Sequence, residues 1–133
     1  MLVVACVAPA DGLEDLETEL IRVDGVELTV AVADNADRQQ QGLTDVEDLP
    51  DLLDGMIFVY DSPTSASFHM LNTPMPLDIW WFDSDDILVG TTEMEPCFIE
   101  PCVSYASPGR VLWVLETPLG EYKFGLGEMI STG

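Results

Sequence analysis

Any chemistry in this chain has to come from a small set of side chains. His69 is the only histidine, and Asn72 and Thr73 add an amide and a hydroxyl three and four residues on. All three lie between Ser62 and Leu77, a run with no other ionisable side chain in a protein that carries 25 Asp or Glu and four Lys or Arg. Two readings stand for this segment. Asn72-Thr73-Pro74 can satisfy local backbone groups in a turn. Alternatively, His69, Asn72 and Thr73, rimmed by Phe68, Met70 and Trp80, form an apolar recess with a few convergent polar groups, the usual make-up of a small-molecule site. If the strand pattern holds, His69 faces opposite to Phe68 and Met70, so only one of those faces lines the recess.

Two carboxylates stand in otherwise apolar surroundings, Asp78 between Leu77 and Ile79 and Glu116 after Val114-Leu115. A lone charge is costly to bury, so Asp78 is expected to pair with Arg38 through a planar guanidinium–carboxylate fork that pins a helix to the sheet. The rival reading makes Asp78 and Glu116 the acid and base of a hydrolase, which requires a suitable separation and split pKa values. Cys97 and Cys102 in PCFIEPC suit a small disulfide of an oxidising compartment, which would fix the loop before Tyr105. Two thiols and one histidine lack a fourth zinc ligand. The Asp83-Ser84-Asp85-Asp86 stretch lacks the glycine and terminal glutamate of a helix-loop-helix calcium site and reads as a hairpin tip. No metal and no cofactor is expected.

The elements that must hold these groups are mostly strands. Leu20 to Val23 and Val26 to Ala33 flank Asp24-Gly25, a pair suited to the positive φ of a tight hairpin turn. Ala36 to Gln41 reads as a short helix with Asp34 or Asn35 as N-cap and Gly42 as stop. Period-two patterning then predicts strands at Met56 to Tyr60, Ser65 to Met70, Leu77 to Phe82, Ile87 to Met94 and Arg110 to Thr117. Leu77 to Phe82 is apolar on both faces and belongs inside a sheet. After Pro118 the pattern suggests a second short helix, a glycine break at Gly125 and Gly127, and a last brief strand. The fold class is mainly β: a compact antiparallel, barrel-like sheet with one or two short helices. Residues 1–19 read as a truncated leader and acidic tether, with one helical turn through Leu13, Leu16 and Leu20, and residues 20–133 as a single domain.

At 133 residues the chain can bury a core without staples. Its formal charge of −21 makes nucleic acid and anionic membrane surfaces poor partners. Over roughly 7,000 Å² of surface the acids would stand about 17 Å apart, beyond the ~10 Å Debye length at 0.1 M salt. High salinity is therefore permitted, and with a single lysine in the chain it is the favoured explanation of the composition. Val3-Val4-Ala5-Cys6 has the apolar, apolar, small, Cys order of a bacterial lipoprotein processing site, although only five residues precede Cys6. The expectation is an exported, monomeric protein, held at the membrane only through a lipid on Cys6. It would bind a small molecule or a cell-envelope protein.

The order of motifs carries a resemblance. Arg38-x-x-x-Gly42-Leu43, Gly55-Met56-Ile57-Phe58-Val59-Tyr60, Phe68-x-Met70-x-Asn72-Thr73-x-x-Pro76-Leu77-Asp78-Ile79, Pro96-Cys97 with Cys102-x-x-Tyr105, and Val114-Leu115-Glu116 occur in that sequence. Together they resemble domain-of-unknown-function family 192, the uncharacterised protein family 0127, over about Ile21 to Ile130. The resemblance implies a compact β-rich protein, often exported or lipid-anchored, without an established biochemical role. His69 stands where the family usually has Trp, and Leu71 where Lys or Arg is common, so the aromatic platform is smaller here and the cation is gone.

Overall fold

The computed structural model describes residue 13 and residues 16–133; Cys6 and its lipoprotein-like context lie outside them. Seven strands and one helix follow in the order β1 (Thr18–Val23), β2 (Val26–Ala33), α1 (Ala36–Gln41), β3 (Gly55–Phe68), β4 (Leu77–Phe82), β5 (Leu88–Met94), β6 (Tyr105–Pro118) and β7 (Ile130–Thr132). They form one curled, half-barrel sheet in the order β5-β4-β6-β3-β2-β1-β7. Every neighbouring pair is antiparallel except β2–β3. That parallel step requires a crossover, and α1 lies within it.

Local chemistry sets the boundaries. Asp24 and Gly25 both take positive φ, 52° and 78°, at the β1–β2 turn. Asn35 caps α1 by accepting the Arg38 N–H through Oδ1 at 3.0 Å, and Gly42 ends it at φ 49°. The Gln39 side chain donates to the carbonyls of Ala33, at 3.1 Å, and Val59, at 2.8 Å, fastening the helix to β2 and β3.

The sheet carries a core on each face. On the concave side Leu88 of β5 and Ile130 of β7 meet in one cluster with Trp80, Phe82, Ile57, Leu115 and Phe124. Contact between strands at opposite ends of the order shows that the curl encloses this cluster. The two edges are also joined directly. Leu88 N–H donates to the Glu128 carbonyl at 2.8 Å, Gly127 N–H to the Leu88 carbonyl at 2.9 Å and Ile130 N–H to the Asp86 carbonyl at 2.9 Å. On the convex side Met56, Phe58, Leu77, Ile79, Trp81 and Val114 pack under Leu43, Val46, Met70 and Met75 from the connecting segments.

Several expectations need correction. The strands foreseen at Met56 to Tyr60 and Ser65 to Met70 are one element, β3, interrupted where its pairing to β6 jumps from Val59↔Trp113 to Thr64↔Val111. The surplus residues include Pro63, which a bulge tolerates and a regular ladder does not. Beyond the bulge, Thr64 to Phe68 pairs only with β6, and the arm from Asp61 onward is largely exposed. The first half of the uncharged run is thus a largely exposed arm. The segment after Pro118 is a turn, and no second helix forms. Leu20 is exposed in β1, which begins at Thr18, inside the expected tether.

Candidate functional site

The chemistry collects around Glu116. Cross-strand pairing sets Glu116 opposite Met56 on one side and Ile79 on the other, so its side chain leaves the sheet on the convex, apolar face. It is 4% exposed. The close approach of β3 has a visible cause: a Cβ on Gly55 would stand 2.3 Å from the Glu116 carbonyl oxygen, so only glycine fits there. No hydrogen bond or ion pair from the described residues reaches the Glu116 carboxyl. Nor is any fully enclosed side-chain oxygen or nitrogen among those residues left unpartnered. The carboxyl oxygens therefore open onto a cavity of about 250 Å³. Burial pushes the Glu116 pKa up from 4.5 to about 8.

That cavity has walls from three parts of the chain. The end of α1 and the segment after it contribute Gln39 to Gln41, Gly42, Leu43 and Thr44. β3 supplies Phe58, Tyr60, Ser67 and Phe68, and the following loop adds His69, Met70 and Thr73. Phe58 and Phe68 meet edge to face with ring centroids 5.0 Å apart. Tyr60 keeps its proton far into the alkaline range, its pKa raised to about 12 first by burial and then by Glu116.

The structure divides the residues singled out from the sequence. His69 and Thr73 line the cavity together with Phe68 and Met70. The expected opposition of His69 to its neighbours fails because β3 ends at Phe68, so strict alternation no longer applies. The exposed His69 ring accepts the Leu71 N–H through Nδ1 at 3.2 Å. Asn72 is exposed and outside the cavity, at φ 57°. Its carbonyl accepts from Asp45, and its N–H donates to Cys97, both at 2.8 Å; this is the turn reading. Tyr105 lines a different hollow, of about 290 Å³, beside Cys97 and Pro101. Met70 is common to both.

The Arg38–Asp78 ion pair does not form. Asp78 pairs across the ladder with Thr117 and shares the concave face with Trp80, whereas α1 packs near Phe58 on the convex face. Asp78 instead accepts the Gly120 N–H through Oδ2 at 2.9 Å. The ion pair present among the described residues joins Arg22 and Glu27 across the first hairpin. By the same parity Asp78 and Glu116 leave opposite faces of the sheet, which removes the carboxylate dyad of the hydrolase reading. Cys97 and Cys102 are disulfide-bonded, with Cα atoms 5.9 Å apart. Asp83 Oδ1 accepts the N–H groups of Asp85, at 2.9 Å, and Ile87, at 3.1 Å, as a hairpin tip. Among the described residues no three His, Cys, Asp or Glu side chains gather as a metal site.

Sequence reasoning missed Tyr60, Thr44 and the three glutamines. One signal was available: a Gln-Gln-Gln run in the last turn of a helix that crosses between two strands.

Fold and site together define a small β half-barrel domain with a polar-floored cavity on its convex face. The chain belongs to the DUF192 family, described as an uncharacterized ACR, whose model matches residues 19–128. Among curated proteins, none matches. Two crystal structures share the fold. One, from Sinorhizobium meliloti 1021, is described as a candidate transcription regulator. It has 24% identity and a TM-score of 0.78, with 88% of this chain and 95% of that one covered, and this likeness speaks to the fold alone. The other, a protein of unknown function from Novosphingobium aromaticivorans DSM 12444, has 26% identity and a TM-score of 0.75, covering 97% of this chain and 93% of that one.

Proposed function

We propose that this protein is a small-molecule-binding module whose site is the Glu116 cavity. The observation that carries the reading is a buried carboxyl without a partner among the described residues, facing a space walled by aromatic rings, amides and hydroxyls. A buried polar group is ordinarily satisfied by the protein. A bound molecule supplies the missing partner here, and a concave site where polar groups converge beside aromatic rings suits a small ligand. Hydrolysis by paired carboxylates is not supported, since the two groups face apart.

Export and lipid anchoring through Cys6 belong to the same proposal. The Cys97–Cys102 disulfide favours an oxidising compartment, and mass spectrometry of Cys6 in the precursor expressed in a bacterium tests the anchor.

The binding reading is tested by a thermal-shift and NMR screen of a mixed fragment set against the wild type and Ser67→Trp. Ser67 sits at the exposed mouth of the cavity, so an indole there blocks entry without entering the core. Bound fragments should raise the wild-type melting temperature and perturb Phe58 and Thr73, and Ser67→Trp should abolish both effects. Equal responses from the two proteins would move the site elsewhere; silence across the set would end the proposal.

A further inference from the structure

We infer that the ligand class of this cavity is a small organic ammonium ion with an apolar body, held by Glu116 as a carboxylate. The inference rests on the binding reading above and adds the chemical class. Four observations converge on it. No Lys or Arg among the described residues lines the cavity, so an ionised Glu116 has no ammonium or guanidinium partner there. An ammonium head offers three donors, and the wall holds acceptors for those the carboxylate leaves over: the Gln side-chain carbonyls and the Tyr60 and Thr73 hydroxyls. Phe58 and Phe68 supply aromatic surface, which attracts cations as well as hydrocarbon. The formal charge of −21 draws cations toward the protein and repels anions.

Protons must balance when the ligand enters. The empty site holds Glu116 as the acid up to about pH 8. Ammonium binding breaks the carboxyl O–H bond, gives that proton to solvent and leaves a carboxylate–ammonium pair. The groups of the strands and of α1 that face Glu116 do not compete for this proton. Met56 and Ile79, its cross-strand neighbours, are apolar, Tyr60 titrates only near 12, and α1 presents the uncharged Gln39 to Gln41. His69 is the remaining ionisable lining group, and its exposed ring accepts a backbone N–H at Nδ1.

Affinity for an ammonium ion should therefore climb about tenfold per pH unit below about pH 8 and level off above it. A neutral ligand that takes a hydrogen bond from the protonated acid would show the opposite trend. The test is isothermal titration of the intact protein with benzylamine and with benzyl alcohol, across that pH range, in two buffers of different ionisation enthalpy. Well below about pH 8 benzylammonium should bind the wild type with release of nearly one proton; at about pH 8 and above benzyl alcohol should bind at least about tenfold more weakly, and the isosteric Glu116→Gln should lose that preference. Equal affinity for both compounds at about pH 8, or ammonium binding without proton release well below it, overturns the ammonium class and leaves the binding module intact. If neither compound binds, the fragment screen decides. Hits confined to neutral or anionic compounds overturn the class alone, and silence across the set overturns both readings.

Discussion

Glu116 is a carboxyl set between Met56 and Ile79, and its environment makes a stability argument with a definite sign. In the folded protein it keeps its proton to about pH 8, whereas an exposed carboxyl of its kind ionises near 4.5. Below the lower value both states are protonated and burial carries no charge penalty. Between the two values the unfolded chain releases its proton while the folded one retains it, so stability falls as pH rises. The full deficit, on the order of 4–5 kcal/mol at ~1.4 kcal/mol per pK unit, is reached above about pH 8. Glu116→Gln has no proton to lose. Its melting temperature should match the wild type near about pH 5 and exceed it progressively toward about pH 9, and a constant difference over that span would contradict the burial account. The sequence exposed this residue as a carboxylate in apolar company but joined it to Asp78 only in the rival hydrolase reading. Parity along Val114-Leu115-Glu116 is readable, yet its relation to Asp78 depends on the β4–β6 register, which no local pattern encodes.

Among the elements, the clamp between β4 and the turn after β6 replaces the expected tie between β4 and α1. Asp78 accepts the Gly120 N–H, and the neighbouring Trp80 indole donates to the Thr117 hydroxyl at 3.0 Å, so two side chains of one strand hold the end of β6. Asp78→Leu leaves that N–H without its acceptor and should cost about 1–3 kcal/mol in urea unfolding, whereas Arg38→Met should stay within about 0.5 kcal/mol. Comparable losses from both would restore the ion pair. The first hairpin, α1 and β4 lie where the sequence put them, because their signals are local: Asp24-Gly25, an Asn35 cap with a Gly42 stop, and an apolar hexapeptide bounded by turn residues. The long arm of β3 was illegible for the converse reason. Its bulge between Val59 and Thr64 is imposed by pairing with a strand some fifty residues downstream, and Ser- and Pro-rich sequence at that point reads as a gap.

On the scale of the whole molecule, charge and architecture meet at the surface. The accessible area is 7335 Å², close to the value expected from mass, so the 25 acids average about 17 Å apart. Screening should therefore help modestly. Raising sodium chloride from about 0.05 to 1 M shortens the Debye length from above 10 Å to ~3 Å. An upward melting shift of several degrees is expected, at about 4 °C per kcal/mol for a chain of this length. Sodium and potassium chloride should act alike, and a flat or falling curve would show that the acids are already compensated. Composition conveyed this property in full, because net charge is a sum and needs no geometry. It also conveyed the mainly β class, through strand signals spread over the chain.

The backbone stitches between Asp86–Leu88 and Gly127–Ile130 lie where a sheet of this kind is otherwise most vulnerable. An open sheet offers two rows of unpaired amides and carbonyls on which another chain can polymerise. Because the segment from Gly127 onward is basted to Asp86–Leu88 and also pairs with β1, it masks both edges along that stretch. Loss of residues 127–133 would bare β1 along its outer side and uncover the start of β5 in the same event, making the carboxyl-terminal segment a guard against fibril growth as much as a part of the fold.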